Sequence, residues 1–568
     1  MSTRGFKSPR SPRRVPLAVA ADSAHADIVP VNPDEVRPAS REETFPVALA
    51  AVLLSFIALL LSFSRGYLLL YGDAVAHLGI ARRILDSHNP GLVQLGGVWL
   101  PLPHLLMLPF VQKLEWWQNG LAGAWPSLIC YIAGVAGFYR LTRRLLMPRW
   151  AMAATAFYAL NPNLLYLATT AMTEPLFLAL LIWTTLLTVE CIAAIRSGHL
   201  GVVGRRLLLL GIFILAAVYT RYDGWILGAT VWCVVTVLLA RHCDVWRKVV
   251  PSFVLFTLLT VAGPIGWLAY NQHFLHDPLD FLRGPYSASA IEKKTAAAGS
   301  EHYHGWHNPF VALVYYTRTA QLDAAFWELG FVVMAAATAG TVLAIRRRLV
   351  LAALILWMPL PFYVYSVAYG SVPIFIPPLW PHSYYNSRYG MELLPALAVF
   401  SFLMWQWIEG RWSESQPLAK RLMQPIVILL VALNTIGMMY RTPLVLKEAM
   451  NNSTTRVGFE TALGRQLLAL PRGSTILMYN SDHVGALQDA GIPLRQTINE
   501  GDYDSFHAAL AAPAEHAAYV VAIAGDPVST AVAAHPEGLT ELTILCTTGQ
   551  PCARIYQSDR SHIAAPKS

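Results

Sequence analysis

Stretches of about 20 predominantly apolar residues, enough to cross a bilayer as a helix, recur along this chain from roughly residue 46 to residue 440. No other feature restricts the fold as much, because within hydrocarbon every backbone amide and carbonyl must find its partner inside the segment or be shielded by protein. Eleven runs are read, at 46–65, 119–140, 150–167, 174–195, 206–220, 224–240, 249–270, 324–345, 349–368, 389–408 and 421–440, the third and fifth being short. Charged residues make up only 13% of the 568, where soluble domains carry about 25%. The chain is therefore expected to be an all-α polytopic membrane protein. The first run lacks a small-residue cleavage site behind it and is read as a retained helix, not a removed signal.

A formal net charge of +8 could suit nucleic acid, but the basic residues sit in short loops between apolar runs. That placement speaks for topology and against a nucleic-acid partner. The first segment holds Arg4, Lys7, Arg10, Arg13 and Arg14 and then a stretch without apolar periodicity, so residues 1–45 are expected to be a disordered cytoplasmic tail. With that tail inside, every second loop should be basic. "RLTRRLLMPR", "RSGHLGVVGRR", "RHCDVWRK", "IRRRL" and "EGRWSESQPLAKR" all fall on that side.

An odd number of spans carries the C-terminus to the extracytoplasmic face. The expected partition is a transmembrane domain over 46–440 and a soluble extracytoplasmic α/β domain over 441–568. In the latter, strand-like "STILMYN", "AAYVVAIAG", "LTILCTT" and "CARIYQS" alternate with helix-like segments near 457–470, 482–490 and 503–511. Cys546 and Cys552 are spaced so that a disulfide is permitted, and an extracytoplasmic compartment would favour it. Cys130, Cys191, Cys233 and Cys243 lie in or beside apolar runs and read as small hydrophobes.

Four short polar stretches fall at the outer ends of spans: "YGDAVAH", "TEP", "TRYDGW" and "SRYGMELLP". Ionisable groups at bilayer depth cost at least a few kcal/mol each, so several at one level imply a shared polar cavity. Asp73 is either an N-cap or a general base, a carboxylate that takes a proton from an attacking hydroxyl. His77 lies one helical turn further on the same face, as a structural residue or a substrate contact. Glu174 precedes a proline suited to a first helical turn, so it caps a helix or serves a site. Arg221 and Asp223 either pair with each other or line the site. Arg388 and Glu392, four apart, either form a helical salt bridge or leave the guanidinium free for a phosphate. In the outer loop over 271–320, "EHYHGWHN" offers His302, His304 and His307 as interfacial residues or as metal ligands.

These stretches, in this order, resemble the GT-C superfamily of lipid-linked-sugar-dependent glycosyltransferases, in particular the protein O-mannosyltransferase and aminoarabinose-transferase group. "GDAVAHLGIARRIL" is similar to the group's first outer loop, with Asp73 at the catalytic position and Ala74 where a second acid usually stands. "WLPLPHLLMLP" resembles its Lys-Pro-Pro-Leu segment, although Leu100 stands nearest the lysine, leaving Arg388, Arg221 or His104 to meet a phosphate. "TEPLFLAL" resembles its acid-proline opening of the fourth span, and "SRYGMELLPALAVF" its late Arg-Tyr…Leu-Pro segment. The resemblance, over roughly residues 46 to 410, implies a GT-C-like fold in the inner membrane. It implies transfer of a sugar from a polyprenyl phosphate to an extracytoplasmic glycan, lipid or protein, with inversion. Asp73 and Glu174 would be the catalytic acids, Arg388 and Arg221 the phosphate ligands, and His77, Asp223 and His104 substrate contacts; a divalent metal is the one cofactor such chemistry would admit. Two other readings remain: a lipid-linked glycan polymerase or ligase, for which the outer loop holds few basic residues (Arg283, Lys293, Lys294, Arg318), and a transporter, for which no inverted repeat is visible.

Overall fold

The computed structural model describes residues 38–295, 302–346, 350–412 and 417–560. All eleven apolar runs form helix, but not all are unbroken. Among the described residues, nine helices are long and apolar enough to cross a membrane. The third run is split into Pro148–Ala159 and Pro162–Leu167, with the Asn161 side chain capping the second piece. The ninth is split into Val350–Leu356 and Pro359–Tyr369. In both, a proline opens the second piece, as its missing N–H and the restriction it imposes on the residue before it dictate.

The first helix, Arg41–Ser64, starts five residues earlier than expected, on a capping box of Ser40 and Glu43. The basic cluster of the tail, residues 1–37, lies outside the described residues, as do 347–349 and 413–416 in two of the basic loops. This helix buries Val47, Ala51, Ser55, Leu59 and Ser62, a stripe of one residue per turn, and turns Leu53, Phe56, Ile57 and Leu60 outward. Such apolar side chains facing away from protein belong against lipid. The chain is an integral membrane protein.

Two short helices, Gly72–Arg83 and Leu102–Val111, occupy the loop after the first span. The Leu102 amide bonds the Tyr219 carbonyl, and the Tyr222 hydroxyl donates to the Val98 carbonyl at 2.6 Å. These bonds fix the loop against the turn joining Leu200–Val218 to Asp223–Arg241.

After the last span, Pro417–Tyr440, a turn at Thr442 leads into the helix Leu444–Ser453. The tail then forms a five-stranded sheet of β1 (Ile476–Met478), β2 (Thr497–Ile498), β3 (Tyr519–Ile523), β4 (Leu539–Leu545) and β5 (Ala553–Ser558), in the order β2-β1-β3-β5-β4. The first three strands are parallel and the last pairs antiparallel. Helices Arg456–Leu468, Val484–Ala490 and Asp504–Ala511 stand where the sequence suggested them. Cys546 and Cys552 are bonded and close the β4–β5 hairpin. The tail packs on the loop after the first span: Arg456 donates to the Leu69 and Leu70 carbonyls, Gln94 to the Gly501 carbonyl at 2.9 Å, and Gln488 to the Trp117 carbonyl at 2.5 Å.

Candidate functional site

Asp73 is the second residue of Gly72–Arg83, whose N-cap, Tyr71, makes no side-chain cap bond. The capping alternative therefore fails: the carboxylate reaches across the molecule to Arg388, with Oδ2 2.5 Å from Nη2. Glu174 and Pro175 open the long helix Glu174–Ser197, and the hydroxyl of Thr173 before them accepts from Arg221 Nη1 at 2.8 Å instead of capping. Glu174 Oε1 is shared by two guanidiniums, Arg388 Nε at 3.1 Å and Arg221 Nη1 at 3.3 Å. Its Oε2 has no hydrogen-bond partner among the described residues.

Arg388 and Glu392 do not pair with each other. Ser387–Leu393 is a 3-10 helix, and with three residues per turn the fourth residue leaves the face of the first. Glu392 therefore meets Arg221 Nε at 3.1 Å and accepts from the Tyr363 hydroxyl at 2.7 Å. Arg221 also lies 3.4 Å from Asp223 Oδ2 and donates to the Tyr363 oxygen at 2.6 Å. Burial works against a positive charge on Arg221, but Tyr363, Glu392, Asp223 and Glu174 outweigh it and hold the guanidinium more firmly protonated than usual.

Sequence reasoning missed Glu448. It takes the amides of Asn386 (2.9 Å) and Ser387 (2.7 Å) and the Ser387 hydroxyl, and lies 3.5 Å from Arg388 Nη1. Asn386 is left-handed, at φ 54°. Glu448 thus fixes the turn that aims Arg388. Its signal was legible: Val445, Glu448 and Ala449 form the buried stripe of Leu444–Ser453, where an acid is out of place. Three tyrosines were also missed. Arg388 lies over Tyr71 and Tyr389, at 5.3 and 4.9 Å to the ring centres, and Arg221 over Tyr389 at 5.2 Å, while Tyr363 links Arg221 to Glu392.

Asp73, Glu174, Arg221, Asp223 and Arg388 therefore meet in one cluster. Within it Asp73 differs: its side chain is 41% exposed, against 8% for Arg388 and none for Glu174. It forms the open edge of an otherwise enclosed site.

The histidines lie elsewhere. His77 and His104 are buried and face each other, Nδ1 to Nε2, at 2.8 Å, with the His77 ring tilted against Trp99 at 4.3 Å between centres. Burial, then the positive charges of Arg388 and Arg221, push His77 down to about 3, so it is neutral at physiological pH. His302 pairs with Glu292 and stacks on Trp306, His304 stacks on Trp380, and His307 packs on Trp306 and Tyr369. Among the described residues no three His, Cys, Asp or Glu side chains are placed to hold a metal ion. In the central cluster one oxygen each of Glu174 and Glu392 is turned onto a guanidinium, while Glu174 Oε2 and Glu392 Oε2 are buried without a partner among the described residues.

The architecture defines a polytopic membrane protein with an α/β tail packed on the loop after its first span. The ArnT of Cupriavidus metallidurans shares this fold. Its crystal structure bound to undecaprenyl phosphate matches with a TM-score of 0.55 at 14% identity, over 93% of this chain and 100% of that one. Its apo structure matches with a TM-score of 0.51 at 14% identity, over 90% and 97%. No family model matches the sequence, and no curated protein does either.

Proposed function

We propose that the protein is an inverting glycosyltransferase that moves a sugar from a polyprenyl phosphate to a hydroxyl-bearing acceptor at the extracytoplasmic face of the inner membrane. The observation that carries this reading is the Asp73–Arg388 contact at 2.5 Å, at the exposed edge of a cluster otherwise sealed by aromatic rings. It sets a candidate base beside a candidate phosphate ligand, as the transfer requires. The shared fold with an ArnT crystallised with undecaprenyl phosphate supports a donor of that kind.

Arg388 is the phosphate ligand. Arg221 is enclosed by Glu174, Asp223, Glu392 and Tyr363 and cannot accept a further anion without losing one of them; it positions Glu174. Arg388 is different, because Asp73 is its exposed partner. A donor phosphate arriving at this edge competes with Asp73 for the Nη2 donor and frees the carboxylate beside the sugar. Asp73 then takes the proton of the acceptor hydroxyl, the acceptor oxygen bonds to the anomeric carbon from the face opposite the phosphate, and the carbon–oxygen bond to phosphate breaks with its electron pair on the leaving oxygen. Charge grows on the phosphate in the transition state, where a preplaced guanidinium helps most. Glu174 and Glu448 hold that guanidinium from behind. No step of the transfer is assigned to a metal.

The test is turnover of a polyprenyl-phosphate sugar by purified protein in proteoliposomes. Release of polyprenyl phosphate that needs an acceptor and is lost in Asp73→Asn supports the reading. Movement of solute across the vesicles without donor consumption would favour a transporter, and stepwise growth of a lipid-linked chain would favour a polymerase.

A further inference from the structure

The helix Glu174–Ser197 carries a second charged centre. Its sixteen-residue separation from Glu174, 190 − 174, puts Glu190 about 24 Å along the axis, close to the thickness of a hydrocarbon core, about 30 Å. There Glu190 Oε1 meets Arg144 Nη2 at 2.6 Å and Oε2 meets Arg206 Nη2 at 2.7 Å. The carboxylate is nearly enclosed, whereas the arginine side chains remain 26% and 19% exposed. These residues line an open cavity of about 350 Å3 together with Ala193, Ser197, His199 and Val202, within the range of small-ligand sites.

Two guanidiniums face one carboxylate, so a positive charge is left over. Arg206 Nε is buried without a hydrogen-bond partner among the described residues. The Nδ1 of His199 is tied to the Ser197 hydroxyl at 2.6 Å. The cavity also adjoins the first turn of Leu200–Val218, whose N-cap makes no side-chain bond, so the helix dipole adds to the positive potential. Paired guanidiniums at the margin of an apolar slab suit a phosphate, which accepts their forked donors.

We propose that this cavity, at the membrane face opposite Asp73, binds a phosphate anion, supplied either by the headgroup of an anionic lipid or by soluble phosphate. Glu190 holds the two arginines apart at the spacing the anion meets. The site is independent of the transfer reaction, since no residue in it touches the Asp73 cluster.

Native mass spectrometry of the full protein released from nanodiscs tests it, with phosphatidylglycerol and phosphatidylcholine as competing probes and calorimetry with inorganic phosphate as the second arm. The wild type should retain phosphatidylglycerol preferentially. Arg206→Ala should lower that retention about fivefold, while Glu190→Gln, which removes the competing negative charge, should raise it. Binding of inorganic phosphate without lipid preference, lost in Arg206→Ala, would support the anion site and assign it to soluble phosphate. Equal retention of both lipids together with no phosphate heat would overturn the proposal. So would unchanged anion binding in both variants, or an unmoved Glu190→Gln where Arg206→Ala fails to fold.

Discussion

The helix Glu174–Ser197 ends near each face of the membrane in a glutamate gripped by two arginines, and the two grips are built differently. At Glu190 each carboxylate oxygen serves one guanidinium, the partners are 46 residues back and 16 residues forward in the chain, and the group stands beside an open cavity. At Glu174 one oxygen serves both guanidiniums while the other goes unpartnered, and Arg388 comes from 214 residues away. An ion pair in which each carboxylate oxygen has its own guanidinium clamps helices together. A crowded pair of charges drawn from distant segments costs the fold, because each must be desolvated and none is fully satisfied. Its persistence marks the Glu174 end as the place where placing charge matters more than stability.

Disabling the crowded end should break the comparison most visibly. Asp73→Asn should insert and fold yet lose transfer by about 10²–10⁴, the usual contribution of a general base, as read by release of polyprenyl phosphate. Near-normal turnover would remove Asp73 from the chemistry. Next, Arg388→Ala should weaken donor use by roughly 10- to 100-fold, the weight of a charged hydrogen bond, and Arg388→Lys by less, because only the latter keeps a positive charge. Equal donor KM values for the two variants would make Arg388 structural.

A pair with one arginine instead of two sharpens the contrast. Glu460 meets Arg456 in the tail, and burial outweighs that arginine and raises its carboxyl to about 7, with His483 and Asp489 also nearby. The folded form thus binds a proton more readily than the unfolded one, so Glu460 contributes stability below its unfolded range, near 4.5, and loses it as pH rises through 7. The loss is about 3 kcal/mol. Thermal melts from pH 4 to pH 8 should decline for the wild type and flatten in Glu460→Gln. The smallest effect belongs to the Glu190 end: Glu190→Gln should leave transfer unchanged and lower stability by about 1 kcal/mol, visible as a small drop in Tm. A large loss of activity there would erase the distinction between the two ends.

Much of this was readable from the residues. The eleven apolar runs, the placement of Asp73, Glu174, Arg221, Asp223 and Arg388 at one level, and the α/β tail follow from hydropathy, basic loops and strand-like alternation. The breaks in the third and ninth runs depend on whether Pro162 and Pro359 interrupt a helix or merely follow one, which hydropathy does not see. Of the two alternatives for Arg388 and Glu392, the helical salt bridge presumed α geometry, and the segment Ser387–Leu393 winds more tightly, which turns Glu392 to Arg221 instead. Two-residue β2 is too short to carry a period. Glu448 escaped notice because it lies beyond the last apolar run, and only the fold brings it 3.5 Å from Arg388.

That late glutamate has a consequence for biosynthesis. A nascent chain can insert every membrane helix, the arginine segment among them, while the residue that steadies Asn386, Ser387 and Arg388 is still inside the ribosome. The charged cluster therefore comes together only after translation has passed residue 448 and the helix that carries it has docked, so that a prematurely ended chain would sit in the membrane with Arg388 unsteadied.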